Sequence, residues 1–287
     1  VLVEAAGASK RYGDTWALRG VSLSLDKGFH ILAGPNGSGK TTLLKIFAGL
    51  MKPTEGKVSI DGGNPYRDPG LREKISYVPE RLYLPPSLRV SDSIELWRRF
   101  PGWCDECFER LRSMLGLSFM DKRVGELSEG MRQKLSLALF LSRRPSVILA
   151  DEPTVNLDPP SRFKIILELR RLAEKGASVI MATHSLYTAA LAADTLIMLV
   201  DGRIRGSLSM GELRGSGSIK ARLRARIPSP PEEPWLERLG GELFVVKASS
   251  IEEMLARLVE LSSRGVIMAI DPILPGLEEA YEAGGEA

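Results

Sequence analysis

Two short stretches concentrate the residue types needed to handle a phosphate chain. Gly34-Pro35-Asn36-Gly37-Ser38-Gly39-Lys40-Thr41 fits the spacing G-x-x-x-x-G-K-[ST]; it follows an apolar run at 29–33 that reads as a buried strand, and it opens a helical pattern at 40–50. In that setting the glycines let backbone N–H groups turn toward phosphate oxygens, and the helix N-terminus adds partial positive charge. Lys40 has the reach for β- and γ-phosphates, and the Thr41 hydroxyl is a magnesium ligand. The loop alone says phosphate-loop nucleotide binder and leaves kinases, GTPases and motor ATPases open. The second stretch, Val147-Ile148-Leu149-Ala150-Asp151-Glu152, sets two acids at the end of a fully apolar strand. Beside a phosphate loop, Asp151 is expected to hold magnesium, and Glu152 to orient and polarise the water that attacks the γ-phosphate.

Two further positions have both a plain and a chemical reading. Ser128, in Leu127-Ser128-Glu129-Gly130-Met131, precedes an apolar helical face at Leu135, Leu139 and Phe140; it reads as an N-cap, yet a Ser and a Gly at a helix N-terminus also make an anion site. His184 follows the apolar strand 177–182 and is expected at the same sheet edge as Asp151, within reach of a γ-phosphate. His30 reads as an ordinary polar residue.

The elements that must position these residues alternate between strand and helix. Strands are expected at 1–9, 15–25, 29–33, 57–60, 74–78, 147–150 and 177–182, with a helix at 160–175. This order predicts a mostly parallel, buried sheet. Residues 91–144 are helical in pattern, with Trp97, Phe100, Trp103 and Phe108 clustered and breaks at Pro101-Gly102 and Gly116, and read as a helical insertion. The stretch 211–218 reads as a flexible linker. Beyond it Ile219, Ala221, Leu223, Ala225 and Ile227 alternate with Lys220, Arg222, Arg224 and Arg226, the pattern of a half-buried strand. Ile251, Met254, Leu255, Leu258 and Val259 lie at helical spacing.

A length of 287 residues accommodates one large α/β domain and an appendage. The net charge of +3 is too small to argue for a nucleic-acid partner, and none is expected. No apolar run approaches the roughly 20 residues of a bilayer crossing, and the first residues lack a signal-peptide layout, so a soluble, cytoplasmic chain is expected. Cys104 and Cys107 are the only cysteines; the pair supplies too few ligands for structural zinc and reads as two ordinary thiols.

With these pieces in order, residues 1–215 resemble the ATP-binding subunits of ABC transporters. Residues 127–131 resemble the family's LSGGQ signature, Asn156-Leu157-Asp158 its D-loop, His184 its switch histidine, and Tyr12 the aromatic that stacks on adenine. The resemblance implies a P-loop NTPase α/β core with an antiparallel β subdomain, a helical subdomain at about 88–145, and a small C-terminal α/β accessory domain at 216–287. It implies ATP and Mg2+ as the bound species. It also implies two chains face to face, as a homodimer or with a paralogous ATPase subunit, each ATP lying between residues 34–42 of one chain, with Lys40, Thr41 and Thr42, and Ser128 and Gly130 of the other; Asp158 is also implied at the nucleotide site. An integral membrane permease is the implied partner, which would hold the chain at the inner face of the membrane.

Two motifs depart from the family pattern. Glu129 and Met131 replace the signature's Gly and Gln, and Glu80 stands where the Q-loop has a glutamine, still an oxygen donor for magnesium but charged. Together with Glu80-Arg81-Leu82-Tyr83-Leu84 and the C-terminal Leu277-Glu278-Glu279-Ala280-Tyr281, which resembles the ending LEEVF, they are similar to the exporter branch with separate ATPase and membrane subunits. An importer ATPase with a regulatory C-terminal domain, and a soluble ATPase acting on ribosomes or nucleic acid, are the alternatives. The docking segment for the permease is expected within 80–108.

Overall fold

A computed structural model describes residues 2–183, 192–209, 219–249 and 251–273. The chain opens with β1 (Val3–Tyr12) and β2 (Thr15–Leu25), an antiparallel pair joined at Gly13-Asp14, and continues into β3 (Gly28–Ala33). All six residues of β3 are buried, as a central parallel strand covered on both faces requires. Then come α1 (Lys40–Phe47), β4 (Glu55–Ile60), α2 (Pro69–Glu73) and β5 (Ile75–Val78). The helical insertion comprises α3 (Val90–Arg98), α4 (Asp105–Leu115) and α5 (Glu129–Leu141). The sheet resumes with β6 (Val147–Asp151), α6 (Pro159–Glu174), β7 (Ser178–Thr183), β8 (Thr195–Val200) and β9 (Arg203–Ser209). Last are β10 (Ile219–Arg226), β11 (Leu236–Gly240), β12 (Leu243–Ala248), α7 (Ile251–Arg264) and β13 (Val266–Ile273).

The six-stranded central sheet runs β5-β6-β7-β3-β8-β9, parallel except for β9. The parallel register brings the C-terminal ends of β3, β6 and β7 to one edge, where Ala33 pairs with Thr183 and Asp151 with Ala182. A three-stranded antiparallel sheet, β2-β1-β4, lies beside it.

The C-terminal segment forms its own antiparallel sheet, β11-β12-β10-β13, with α7 against it. Alternation in β10 is as the sequence predicts where side chains are described: Leu223, Ala225 and Ile227 are buried, and Lys220, Arg222, Arg224 and Arg226 exposed. α7 also packs on α6, and Leu223, Phe244, Met254 and Leu258 join the hydrophobic cluster that holds Phe163 and Leu169. The appended sheet thus shares a core with the body of the protein. The 211–218 stretch and the 277–281 ending fall outside the described residues.

Within the helical insertion most of the clustered aromatics pack inward, and one reading is corrected. Phe108 is a core residue, and Trp97 and Trp103 are half-buried, with Trp97 edge-on to Phe140 at 4.4 Å and Trp103 at 5.4 Å from Phe108; of the clustered aromatics Phe100 is the exposed one. These rings mainly close the subdomain on itself. Cys104 and Cys107 are not free thiols but a disulfide across the N-terminus of α4. The two residues sit one helical turn apart at the N-cap and third position, which juxtaposes their sulfurs.

A buried polar tie helps fasten the insertion to the core. Glu168 of α6, 3% exposed, accepts both guanidinium N–H bonds of Arg110 on α4, at 2.5 and 2.6 Å, and two more from Arg171, at 2.9 and 2.6 Å. Opening such a charge-assisted set is expected to cost about 2 kcal/mol. Glu168→Ala should therefore lower the urea midpoint of unfolding clearly, while Arg112→Ala, whose pair with Glu109 is exposed, should leave it nearly unchanged.

Candidate active site

The loop between β3 and α1 is shaped by glycines at two close approaches. Gly34 has φ 153°, and a Cβ there would meet the Leu199 carbonyl oxygen at 2.0 Å; at Gly39, φ 102°, it would meet the Ala17 carbonyl oxygen at 2.4 Å. The loop is pressed onto β8 on one side and β2 on the other, with no room for a side chain at either contact. Tyr12 stands at the end of the same β1–β2 hairpin, 47% exposed, with Lys10 Nζ 5.6 Å from its ring centroid and its hydroxyl donating to Met51 Sδ at 2.9 Å.

Lys40 is buried, its ammonium donating to the carbonyls of Gly34 at 2.7 Å and Pro35 at 3.0 Å. Burial pushes its pKa down, against the opposing pull of Glu152 and Asp151. Asp151, 2% exposed, accepts hydrogen bonds from the Thr41 hydroxyl and from Tyr77 Oη, the latter at 3.3 Å. Burial raises the Asp151 pKa most; the bonds from Thr41 and Tyr77 oppose this, and Glu152 and Glu80 add to it. The Tyr77 phenol is in turn pushed up, first by burial and then by Asp151. Glu80 is exposed, close enough for its charge to be felt by both groups.

Glu152 is 8% exposed and has φ 46°, left-handed backbone rare for a residue with a side chain. Its N–H donates to the Ala182 carbonyl at 2.9 Å, and Thr183 Oγ1 donates to its Oε2 at 3.1 Å. The turn therefore locks the acid at the end of β6 from the neighbouring β7. His184, the next residue, lies outside the described residues.

The donor set fits a magnesium–triphosphate group. Ser38 Oγ is buried with no hydrogen-bond partner among the described residues. Thr41 hydroxyl, Asp151 and the exposed Glu80 offer the hard oxygens that magnesium takes. A triphosphate would compensate the buried ammonium, and the cation would compensate the carboxylates, so each restores the charged form that burial disfavours in the other.

Ser128, Gly130 and Asp158 are brought together with the Asp151-Glu152 turn by contacts that the sequence did not reveal. Ser128 caps α5, accepting the Met131 N–H at 3.2 Å, as read from the local pattern. A Cβ on Gly130 would meet the Asn156 carbonyl oxygen at 2.7 Å, so glycine lets the helix end abut the 156–158 turn of its own chain. Gln133, 4% exposed, donates through Nε2 to the Pro153 carbonyl at 3.0 Å, directly after Glu152. Its sole sequence signal is a polar residue on the packed side of an amphipathic helix. Asp158 caps α6, accepting Ser161 N–H at 2.9 Å, and pairs with Lys134 Nζ at 2.7 Å. His30 is buried, Nε2 at 2.9 Å from the Asp26 carbonyl, far from this edge at the opposite end of β3.

The family model for ABC transporters matches residues 18–155. A Nod factor export ATP-binding protein I from Burkholderia orbicola is 35% identical over 209 residues, spanning 70% of this chain and 68% of that protein. A daunorubicin resistance ATP-binding protein from Streptomyces coeruleorubidus is 33% identical, over 72% of this chain and 68% of its own, and a spermidine/putrescine import ATP-binding protein from Protochlamydia amoebophila is 34% identical, over 68% and 54%. Among solved structures, an ATP-binding subunit of an ABC transporter superposes with TM-score 0.68 at 28% identity, covering 75% of this chain and 92% of that one. A dimeric ATP-binding cassette in a post-hydrolysis state, bound to ADP and Pi, superposes with TM-score 0.65 at 30% identity, covering 72% and 98%.

The Asp158 cap carries a pH signature. Burial works against its ionisation, but bonds from Lys134 and Ser161 outweigh this and hold its pKa down at about 2. A carboxylate depressed in the folded state stabilises above its unfolded pKa, and that contribution is lost as pH falls toward the folded value. Asp158→Asn should therefore destabilise the protein at neutral pH and narrow its difference from wild type as pH is lowered from about 5 to about 3, read from urea midpoints across that range.

Proposed function

Because this chain belongs to the ATP-binding subunits of ABC transporters, we propose that it powers export through a separate membrane permease, closing with a second copy of itself, or with a paralogous subunit, around two magnesium–ATP molecules. The chain is an ATPase by family. The observation that carries the catalytic reading is the Asp151-Glu152 turn: two buried carboxylates at a strand end, one bonded to the Thr41 hydroxyl and one braced by Thr183.

Triphosphate binding turns the loop amides of residues 37–41 onto phosphate oxygens and draws the Lys40 ammonium away from the Gly34 and Pro35 carbonyls. Thr41, Asp151 and Glu80 would hold magnesium, which supplies neutralisation of charge on the phosphate oxygens. Glu152 accepts a hydrogen bond from water, aims the water's lone pair at the γ-phosphorus and takes up its proton; the new O–P bond forms as the β–γ bridge breaks, giving ADP and phosphate. His184 and Tyr12 take the γ-phosphate and adenine in this reading. The second chain contributes Ser128 and Gly130, at the capped start of α5, with Asp158 bordering the joint.

Two of the relatives named above, one a Nod factor exporter and one a daunorubicin resistance protein, support export, as does the Glu80–Leu84 segment. The importer relative supports the other direction, but 46% of that protein's length is left uncovered. For the permease, the exposed apolar groups between 80 and 108 are Tyr83 at 86%, Leu96 at 49% and Phe100 at 48%. Among the described residues no helix is long and apolar enough to cross a membrane.

Two outcomes test this. Glu152→Gln should retain ATP binding and yield an ATP-stabilised dimer on size exclusion, with turnover reduced about a hundredfold or more; undiminished turnover removes Glu152 from its role. Tyr83→Ala should leave the ATPase rate of the isolated chain unchanged and weaken co-purification with the permease, and ATP-dependent accumulation of substrate in inside-out vesicles distinguishes export from import.

A further inference from the structure

The nucleotide site leaves one reactive bond of the molecule without a use, the Cys104–Cys107 disulfide. Its two sulfurs differ in access. Cys104 is 6% exposed at the N-cap of α4, where its Sγ accepts the Cys107 N–H at 3.1 Å and its own N–H donates to the Ser142 carbonyl at 2.9 Å. Cys107 is half-buried and lines a cavity of about 580 Å³. The cavity lies where Ser146 leads into β6 and Ala177 into β7, the end of the sheet opposite Asp151 and Thr183.

The walls are cationic. Arg110, Arg144, Arg171 and Lys175 line the cavity, against one carboxylate, Glu106. Arg110 and Arg171 are matched by Glu168, whereas Arg144 and Lys175 form no ion pair among the described residues. Arg144 Nε points at the reactive atom itself, donating to Cys107 Sγ at 3.4 Å. A disulfide with one reachable sulfur, set in an open cleft with surplus positive charge, selects for a reactant that is both a thiol and an anion.

We propose that this cavity is a thiol–disulfide exchange site for small anionic thiols, with Cys107 Sγ as the sulfur attacked. The incoming thiolate forms a new S–S bond to Cys107 as the Cys104–Cys107 bond breaks, and the electron pair leaves on Cys104 Sγ. That sulfur sits at the N-terminus of an eleven-residue helix, where the backbone dipole favours negative charge, so it is the better leaving group of the two. A second thiol of the same kind then displaces the Cys107 thiolate. Two small thiols become one small disulfide, and the protein takes up two electrons and two protons as a Cys104/Cys107 dithiol. The reverse sequence, with the small disulfide as oxidant, restores the bond.

The test uses the full chain in its oxidised form and three probes: mercaptosuccinate, a dicarboxylate thiol; 2-mercaptoethanol, neutral; and cysteamine, cationic. Opening is quenched with acid and iodoacetamide and followed by mass, each rate being divided by that of the same probe on a small uncharged disulfide. Mercaptosuccinate should be favoured over cysteamine by about tenfold or more, with the margin shrinking as salt is added. Arg144→Asn combined with Lys175→Ala should bring the ratio close to one without altering ATP turnover; Asn is chosen because Arg144 has φ 48°. Lys175→Ala alone, at an exposed helix end, should remove part of the preference and decides the matter if the double variant does not fold. Equal normalised rates in the wild type, a preference that survives these substitutions, or a reduced chain that keeps two thiols in the presence of the mercaptosuccinate disulfide would each overturn the proposal.

Discussion

Charge gathered away from water at one edge of a parallel sheet governs this structure. Lys40, Asp151 and Glu152 are each less than a tenth exposed, and together they carry one positive and two negative charges into a region where solvation is poor. Such a grouping stays folded only if every charge has a fixed partner. The backbone carbonyls of Gly34 and Pro35 hold the ammonium, Thr41 and Tyr77 hold the first carboxylate, and Thr183 holds the second. The parallel register of β5, β6, β7 and β3 is what brings these groups, drawn from segments as far apart in sequence as Gly34 and Thr183, to a common edge.

The helical insertion is joined to that edge by polar ties rather than by apolar packing alone. Gln133 grips the Pro153 carbonyl, Lys134 pairs with Asp158, Gly130 abuts Asn156, and Arg110 clasps Glu168 at the far end. Directional contacts of this kind define an orientation more sharply than an apolar surface does, because a shift of a helix by a fraction of a turn breaks them outright. The start of α5, which carries Ser128, is consequently held in register with the turn that carries Glu152.

Much of the fold and the centre of the site were legible because their physics is local. A glycine-rich loop between an apolar strand and a helix, and two acids closing an apolar strand, announce themselves within ten residues. The caps at Ser128 and the alternation along β10 follow from equally short patterns. What escaped depends on partners distant in sequence. Nothing around Gln133 indicates that its amide will meet Pro153, and Glu168 reads as one more surface acid in a charged helix until Arg110 is placed beside it. The pairing of Cys104 with Cys107 is hidden for a different reason: a lone C-x-x-C fits ordinary thiols as well as a redox or metal role, and only the helix start, with one cysteine at the N-cap and the other at the third position, juxtaposes the two sulfurs. The aromatics of the insertion were similarly ambiguous, since the same residue types serve a core or a docking face; Phe108 and Trp97 went to the first use.

Glu152 occupies a backbone conformation that glycine would adopt at ease, with φ 46°. Holding a branched-off side chain there costs about 1 kcal/mol or more, and the surrounding β6–β7 ladder absorbs it. Selection for durability alone would therefore erase the carboxylate from this turn. If the proposed role holds, the carboxylate is kept there at a cost in robustness, and a variant designed only to maximise melting temperature would need to exempt this position.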